Sequence, residues 1–395
     1  MKKLFFPLLF LGCSGFSAPY VKQPAPAYFE QGAALKEGQF PAAYNAPARP
    51  AFVRGWNFFL TGSFLYWLAE QEGMEIAVPT SASLSLTPGS ETISLSSTNG
   101  ASYIRSDFEF SQGYKAGLGF SCDQEDYWIG ALEYTWMHQN VRTPTISEDV
   151  VTISRASASA KFLGLTSWFV GNRGIFPLMP ALQVGAKWKM HMDLGDAYLG
   201  RPYYQGRYVT MTPFAGVRGV WLRQNFRVQS TLPTIPGLFF SVNPVVSHNY
   251  SHSWAVGPRL GLQGRWLLGW GFRVEGDAAG ALLFTRYTKV SHRESEVSFT
   301  PTAGVTFINS HHFSFKDYNT VRPMTNAGIG FGWGGYLGWC RDPSVFLDIS
   351  ANYDFLQFWG QNMMEKLVND YISGIDTPAS DLHLQGVTAT VRIDF

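Results

Sequence analysis

The chain has 395 residues, of which 16% are aromatic and 15% charged, with 13 Trp and 40 Gly. A formal net charge of +1 provides no basic surface for nucleic acid, and beyond the N-terminal segment no run of about 18 apolar residues occurs, which excludes an ordinary transmembrane helix. So many aromatic and glycine residues with so few charges are unusual in a soluble domain and favour a strand-rich wall that faces lipid.

The N-terminus has the pattern of a secretory signal peptide. Lys2 and Lys3 precede a short apolar run, which small residues follow. We predict a signal peptide over residues 1–17, with cleavage after Ser17; the alternative is a lipoprotein acylated at Cys13. Residues 18–54 are rich in Ala and Pro and lack a sustained period, which predicts a flexible periplasmic tail. A linker is the simplest role for this tail, and binding to peptidoglycan or a partner is the alternative.

From Trp56 onward the hydrophobic period is two, as in strands with one apolar face. In hydrocarbon a sheet must be closed, because every backbone group needs a partner. We therefore predict that residues 55–395 form an all-β, transmembrane, antiparallel β-barrel of about 12 strands. One further hairpin within 288–324 would make 14. The predicted strands are 56–68, 113–121, 127–139, 154–169, 181–193, 207–222, 226–242, the two arms of the hairpin 254–284, 325–340, 344–360 and 382–395.

The clearest hairpin runs from Trp254 to Phe284 and turns at Leu268-Gly269. Its first arm has apolar side chains on one face and Arg259, Gln263 and Arg265 on the other. The return arm repeats this pattern, with charged residues opposite the apolar ones. An apolar face toward lipid and a polar face toward the lumen are typical of a transmembrane barrel.

The predicted connections alternate in length. Long loops over 69–112, 140–153, 194–206, 243–253, 288–324 and 361–380 alternate with short turns over 122–126, 171–180, 223–225, 269 and 341–343. This alternation predicts short periplasmic turns, long extracellular loops and both termini in the periplasm.

The final strand alternates polar and apolar residues and ends on an aromatic. Val387, Val391 and Phe395 share one face with Ala389 and Ile393, while the Thr, Arg and Asp residues between them share the other. A terminal aromatic of this kind is typical of outer-membrane barrels. We expect the partners to be outer-membrane lipid and, through Phe395, the barrel assembly machinery.

The candidate functional residues are the charged side chains that the alternation of apolar and polar residues along each strand places on the lumen side. They predict a pore lining that sets conductance and ion preference. The alternative is a set of cross-strand ion pairs that fills a small barrel, and the two roles are compatible. The predicted pore-lining residues are Lys115, Glu133, Lys187, Lys189, Arg218, Arg259, Arg265, Arg273, Glu275, Asp277, Asp348, Asp354 and Arg392, with Asp394 beside them.

Other motifs carry less information. Alternate glycines from Gly328 to Gly334 predict a smooth inner strip where a loop folds in, rather than a nucleotide loop, because no helix follows. Four histidines fall in predicted loops without fixed ligand spacing. Cys122 and Cys340 fall in predicted periplasmic turns on distant strands, which leaves bridging between barrels open. No Ser and His pair occurs in matched phase, so we expect no catalysis. Because the histidines lack ligand spacing we expect no metal, and we expect no cofactor.

Several segments, in order along nearly the whole mature chain, resemble one family, the pore-forming major outer membrane proteins of the legionella and chlamydia-related type. The segments are Phe64-Leu65-Tyr66-Trp67, Gly113-Tyr114-Lys115-Ala116-Gly117-Leu118-Gly119, Asp126-Tyr127-Trp128, Asp196-Ala197-Tyr198-Leu199-Gly200-Arg201-Pro202-Tyr203, Pro213-Phe214-Ala215-Gly216-Val217-Arg218-Gly219, Trp254-Ala255-Val256-Gly257-Pro258-Arg259-Leu260-Gly261 and Leu382-His383-Leu384-Gln385-Gly386-Val387-Thr388.

The resemblance implies an abundant surface porin of the outer membrane that admits small solutes, and it is compatible with a homo-oligomer and with host contacts through the loops. The chain differs from the cysteine-rich chlamydial type, since only Cys122 and Cys340 remain after processing. We expect a water-filled channel for passive diffusion of small hydrophilic solutes and ions. The alternatives are a non-conducting barrel acting as an adhesin or structural envelope protein, and a secreted soluble β-sandwich.

Overall fold

The computed structural model describes residues 56–87, 90–97, 102–122, 128–147, 150–153, 157–170, 180–205, 208–231, 238–240, 244–301, 307–336 and 345–395. The predicted signal peptide, the tail and Cys340 lie outside these residues. Within them, no helix is long and apolar enough to span a membrane. The elements in chain order are β1 (Trp56–Gln71), β2 (Glu75–Thr87), β3 (Ser90–Ser97), β4 (Ile104–Arg105), β5 (Phe110–Cys122), β6 (Trp128–Ser147), β7 (Val150–Ile153), β8 (Ser157–Leu165), β9 (Pro180–Ala181), β10 (Gln183–Gly200), β11 (Tyr204–Gln205), β12 (Val209–Thr231), β13 (Leu238–Phe240), β14 (Val245–Gly269), β15 (Phe272–Glu294), β16 (Val297–Pro301), β17 (Phe307–Asn309), β18 (His312–Phe315), β19 (Tyr318–Tyr336), β20 (Phe346–Asn362), α1 (Met363–Ser373) and β21 (Ser380–Asp394).

Ten long strands form a closed antiparallel barrel. Their order around the wall is β10-β6-β5-β1-β21-β20-β19-β15-β14-β12, and β12 pairs with β10 to close the ring. β11 and β18 add short pairings to β12 and β15. The predicted all-β antiparallel barrel is confirmed, but the predicted count of 12 strands, and the alternative of 14, are wrong.

Two predicted elements account for the difference in count. The predicted strands 207–222 and 226–242 contribute to one continuous strand, β12, so the predicted turn at 223–225 lies in the barrel wall. The predicted strand 154–169 contains β8, which pairs with β2 outside the barrel. The polar residues Arg223, Gln224 and Asn225 indicate a turn only if the outer face keeps one polarity along the whole strand, and in β12 it does not.

The connections differ in length at the two ends of the barrel. At the end where β1 begins and β21 ends, here called the proximal end, the described strands are joined by short segments, and the backbones of Phe58 and Phe395 are hydrogen-bonded to each other. At the distal end the connections are long and include β2–β4, β7–β9 and α1. In a bacterial transmembrane barrel short turns face the periplasm and long loops face outward, so we expect the distal end to be extracellular.

The distal segments form two further sheets. β2 pairs with β3, β4 and β8, and β8 pairs with β7 and β9, which gives a six-stranded sheet. β13, β16 and β17 form a three-stranded sheet. The predicted long loops over 194–206 and 243–253 are instead mostly barrel wall, in β10 and β14.

The predicted faces of the C-terminal strand and of the long hairpin are confirmed. Val387, Val391 and Ile393 are exposed on the outer wall, whereas Thr388 and Asp394 are buried on the inner side. The hairpin of β14 and β15 turns at Trp270 and Gly271, not at Leu268-Gly269. Both turn residues have positive φ, 52° and 85°, as in the two-residue turns that match the twist of a hairpin.

Polarity changes along the length of the barrel. In the proximal half the outer wall is apolar and the inner side is charged, as a transmembrane barrel requires. In the distal half the pattern is reversed. In β10, for example, Trp188, Met190 and Met192 are buried inside, while Lys189 and His191 are exposed outside. This reversal indicates that the distal half extends beyond the hydrocarbon and packs around an apolar core, as a water-soluble barrel does.

Candidate functional site

A polar cavity of about 220 Å³ occupies the proximal half of the lumen. Its walls come from all ten barrel strands, because each strand turns alternate side chains inward. Eleven of the thirteen predicted pore-lining residues line this cavity: Lys115, Glu133, Arg218, Arg259, Arg265, Arg273, Glu275, Asp277, Asp348, Asp354 and Arg392.

Asp196 is the centre of one charge cluster in the cavity. Its two carboxylate oxygens accept hydrogen bonds of 2.7 and 2.8 Å from Nε and Nη2 of Arg218. Nη1 of Arg259 lies 3.2 Å from the same carboxylate. Asp196, Arg218 and Arg259 are all at most 8% exposed. One acid therefore binds two guanidinium groups, and the bidentate pair is the strongest form of this contact.

Asn326 links this cluster to β15. Its amide oxygen accepts hydrogen bonds from Arg218 at 3.2 Å and Arg259 at 3.4 Å. Its amide nitrogen donates to Asp277 at 3.2 Å. A neutral side chain thus connects cations on β12 and β14 to an acid on β15.

A second cluster lies near the proximal end. Arg273 donates to Glu275 at 2.8 Å and to Asp348 at 2.7 Å. Close by, Arg392 donates to Asp394 at 2.8 Å, and its guanidinium carbon lies 3.7 Å from the centre of the Phe59 ring. These contacts hold the arginines against the wall and leave little charge unpaired.

A third group connects the charged half to the apolar half. Lys115 lies 3.2 Å from Glu133, which also accepts a hydrogen bond of 3.1 Å from Tyr198. Two strands along the wall, Thr388 donates to Asp354 at 2.5 Å and accepts from the indole of Trp67 at 3.0 Å. Trp67 is thus the residue at which the polar network meets the apolar residues above it.

The inward glycines of β19 provide space for charged side chains. A Cβ on Gly332 would lie 2.6 Å from the guanidinium of Arg273, and one on Gly328 would lie 2.6 Å from Asp354. Both side chains come from neighbouring barrel strands. The predicted smooth inner strip is present, but these strand side chains, rather than a loop, fill it.

The distal half of the lumen is filled by an apolar plug. It combines inward side chains of the barrel with residues from the distal connections and from α1, and all of them belong to one buried cluster. Trp168, for example, packs edge-on against Phe226 with ring centroids 4.8 Å apart. The plug includes Leu65, Trp67, Met137, Trp188, Met190, Met192, Leu222, Leu283, Met324, Phe358, Leu384, Ile76, Leu165, Trp168, Met363, Met364 and Val368.

Side-chain contacts fix α1 over the plug. Asn362 caps the helix by accepting a hydrogen bond of 3.1 Å from the backbone of Glu365, and Gly374 ends it in the left-handed conformation. Lys366 lies 3.0 Å from Asp370 and contacts Asp376. The helix thereby presents Met363, Met364 and Val368 to the core.

Lys187 and Lys189, the other two predicted pore-lining residues, are on the outer wall. Along β10, Leu194, Asp196 and Tyr198 line the cavity, so the odd-numbered residues face outward. The prediction was wrong because it placed charged residues inside at every height. In the distal half the wall is in water, where charged residues belong outside.

Sequence reasoning missed Asp196, Tyr198 and Asn326. Asp196 and Tyr198 were assigned to a long loop, although the alternation of β10 continues through them. An unbroken period of two from Val184 to Tyr198 was the signal that could have identified the strand.

Ligand atoms of Glu72, Asp381 and His383 lie within 4.8 Å of one another at the distal rim. Asp381 already accepts hydrogen bonds from Gly360 at 2.7 Å and Gln357 at 2.9 Å, and Glu72 binds His383 at 3.1 Å. Protein groups therefore already use these atoms, and we assign no metal to them.

A family model described as the Legionella pneumophila major outer membrane protein precursor matches residues 49–395. No curated protein matches the chain.

Among solved structures, the chain is similar to the outer membrane protease OmpT from Escherichia coli, at 8% identity and a TM-score of 0.36, covering 88% of this chain and 99% of that one. A Pseudomonas aeruginosa FadL homologue shares 9% identity, with a TM-score of 0.25 and coverage of 90% and 93%. The Pseudomonas putida toluene transporter TodX shares 10% identity, with a TM-score of 0.21 and coverage of 89% and 91%.

Proposed function

Because the chain belongs to the family of the Legionella pneumophila major outer membrane protein and is located in the outer membrane, we propose that it forms a channel for passive diffusion of small hydrophilic solutes and ions. We further propose that the conformation described here is the closed state of that channel.

The charged cavity in the proximal half of the lumen carries the proposal. Eleven predicted pore-lining residues converge there with Asp196 and Asn326, and cations and anions from different strands pair across the wall. Such a lining replaces part of the hydration shell of a small solute or ion. Because the cavity faces the periplasmic side, it forms the inner half of the proposed pathway.

The apolar plug forms the proposed gate. It covers the outer half of the pathway, and an apolar constriction without water stops ions. Trp67 on β1 and Phe358 on β20 are inward barrel side chains of the plug, 3% and 4% exposed. Opening requires these side chains and α1 to move away from the axis.

The second candidate is a non-conducting barrel that serves as an adhesin or structural envelope protein. The extent of the plug favours it, since the plug fills the lumen from Leu65 and Met324 up to Ile76 and Trp168 in the distal connections. In this reading the charge pairs of the proximal half only satisfy one another.

Single-channel conductance in a planar lipid bilayer separates the two candidates. The refolded protein is compared with a double variant, Trp67→Ala with Phe358→Ala, which removes bulk from the plug. The matched control is Phe64→Ala with Phe355→Ala, which removes aromatic rings from the outer wall of the same two strands, where Phe64 and Phe355 are exposed.

We expect discrete conductance steps from the wild type, a several-fold higher open probability or conductance in the plug variant, and wild-type behaviour in the control. Steps of equal size and frequency in all three proteins would place the pathway away from the plug. A folded, heat-modifiable protein that inserts but never conducts in any of the three forms would leave the non-conducting barrel as the function.

A further inference from the structure

The distal outer wall carries two rows of basic side chains across five adjacent strands, β6, β10, β12, β14 and β15. Residues of one row are directly paired from strand to strand. The upper basic row is Arg142, Lys187, Arg227, His248 and Arg293. The lower basic row is His138, His191, Arg223, His252 and Lys289.

Each residue in these rows has basic neighbours on the adjacent strands. Directly opposite side chains on one face are about 5 Å apart at Cβ, and like charges in that position destabilise a sheet. Among the described residues, no salt bridge connects either row to a carboxylate. Asp193, the neighbouring outward acid of β10, accepts a short hydrogen bond of 2.5 Å from Tyr134. Within the described part of the chain, the six Arg and Lys side chains of the two rows therefore form a positive surface that no salt bridge neutralises.

The rows lie just above the lipid-facing wall. Trp136, Trp221 and Trp254 occupy the paired positions immediately below the lower basic row, and tryptophan concentrates at the membrane interface. On β6 the lower row begins two residues beyond Trp136 and the upper row six residues beyond it. At a rise of about 3.3 Å per residue and a tilt of about 40°, the rows are roughly 5 and 15 Å above the tryptophan level. This is the height of the lipid headgroups of the outer leaflet.

We propose that the two basic rows bind the phosphate groups of the phosphorylated glycolipid, lipopolysaccharide, that forms the outer leaflet. Arginine binds phosphate with two parallel hydrogen bonds, and lysine binds it as a point charge. Cations from neighbouring strands stand close enough to share one headgroup, and the acyl chains of the same lipid then run down the apolar wall below. The proposal rests on the outer-membrane location and not on conduction.

A second copy of the chain is the competing occupant, because the opposite side of the distal rim is acidic. There Glu70 lies on β1, Glu72 follows directly after β1, and Asp381 lies on β21. Two of these acids are already bound, Asp381 to Gly360 and Gln357, and Glu72 to His383. The basic rows also continue directly into the lipid-facing wall, so we favour the lipid.

The test measures lipopolysaccharide binding to the refolded full chain in a zwitterionic detergent, by titration and by thermal shift. The variant Arg227→Gln with Arg293→Gln removes two exposed cations of the upper basic row. The matched control, Arg105→Gln with Lys316→Gln, removes two exposed cations elsewhere at the distal end. Heat-modifiable gel mobility checks that all proteins are folded. The probes are phosphorylated lipopolysaccharide, the same lipid after enzymatic removal of its phosphates, phosphatidylglycerol vesicles and heparin.

We expect the row variant to bind phosphorylated lipopolysaccharide roughly 30-fold more weakly than wild type, since each cation near an anionic surface contributes about a factor of five. The control should bind as wild type does, and the dephosphorylated lipid should bind weakly to all three. Equal binding of the two lipids, or an unchanged row variant, would overturn the proposal. So would a loss confined to heparin binding, which would indicate a soluble polysaccharide, or a loss confined to chemical cross-linking between barrels, which would indicate a second copy. A loss for phosphatidylglycerol equal to that for lipopolysaccharide would remove the glycolipid from the proposal.

Discussion

At the scale of single residues, Asp196 is the acid on which the charged cavity depends. It is 5% exposed and is the carboxylate that both Arg218 and Arg259 bind. Removing one partner of a buried ion pair leaves its cations uncompensated, which is more costly than losing the attraction alone.

Asp196→Asn keeps the shape of the side chain and removes its charge. We expect it to lower the free energy of unfolding by about 3–5 kcal/mol. Asp193→Asn, on the same strand but on the outer wall, should cost no more than about 1 kcal/mol. Urea unfolding of both variants in lipid vesicles tests this, and equal losses in the two would show that Asp196 does not organise the cavity.

Gly332 illustrates how the lumen accommodates long side chains. Since a Cβ there would lie 2.6 Å from the guanidinium of Arg273, the alanine variant must displace Arg273 from Glu275 and Asp348. We expect Gly332→Ala to destabilise the barrel by about 1–3 kcal/mol, the usual cost of overpacking. Gly280→Ala is the control, because a Cβ at Gly280 meets nothing within 4 Å. Identical unfolding curves for the two variants would mean that the Arg273 side chain has another conformation of equal stability.

At the scale of elements, α1 carries two groups with shifted pKa values, so we expect its packing to depend on pH. Burial raises the pKa of Glu365, in opposition to the hydrogen bond from Ser380. The pKa of Lys366 is also raised. Burial lowers this pKa, but the hydrogen bonds with Asp376 and Asp370 raise it by more. Because the pKa of Glu365 is higher in the folded protein than in the unfolded chain, the folded state binds this proton more tightly. Stability from this group is present below the unfolded pKa of about 4.3 and is lost as pH rises through the raised value.

Glu365→Gln should remove that dependence. We expect the variant to melt at a higher temperature than wild type at neutral pH and to approach wild type as pH falls toward 4. Thermal melts of the refolded barrel across this range provide the measurement, with Glu296→Gln, at an exposed position, as the control. A wild type and variant that differ equally at every pH would contradict the assignment.

The sequence was sufficient for those elements whose surroundings are uniform. Thr388 to Phe395 and the hairpin from Trp254 to Phe284 cross lipid over most of their length, so a single rule of apolar outside and polar inside describes them. The same rule failed for Lys187, Lys189 and the predicted turn at 223–225, because the surroundings of the wall change from lipid to water within one strand. Hydrophobic period alone gives the two faces of a strand but not which face is inside.

The plug could not be predicted for a related reason. Trp188, Met190 and Met192 look like a lipid-facing row, and only the connections that close the distal end make their side an interior. Those contacts join residues far apart in the chain, such as Trp168 with Phe226. The cavity residues, in contrast, were mostly found, since charges in the proximal half have only the lumen to face.

At the scale of the whole molecule, the barrel is divided at the level of Trp136, Trp221 and Trp254. Below it the outer wall is apolar, and the run from Met211 to Trp221 on β12 has the length that a tilted strand needs to cross a bilayer, about 9–11 residues. Above it the wall is in contact with headgroups and water.

This division predicts a step in the accessibility of spin labels placed along β12. In a background without Cys122 and Cys340, labels at Ala215 and Val217 should be accessible to oxygen and protected from a water-soluble nickel complex. Labels at Asn225 and Arg227 should show the reverse. On β6, the same change should occur between Trp136 and Asn140. A uniform profile along β12, or steps at different heights on the two strands, would contradict a membrane boundary at the tryptophan level.

The two basic rows also affect how the protein reaches its final position. A barrel that inserts from the periplasm must carry its distal half across the hydrocarbon, and an Arg or Lys on the lipid side costs about 2–4 kcal/mol at the midplane. The rows contain six such residues, which together present a barrier on the order of 12–24 kcal/mol to unassisted passage in either direction. The rows therefore oppose any passage of the distal half through the hydrocarbon. We therefore expect insertion to depend on a catalyst that lowers this barrier, and we expect the same barrier to keep the inserted barrel in place, so that its residence in the membrane is under kinetic control.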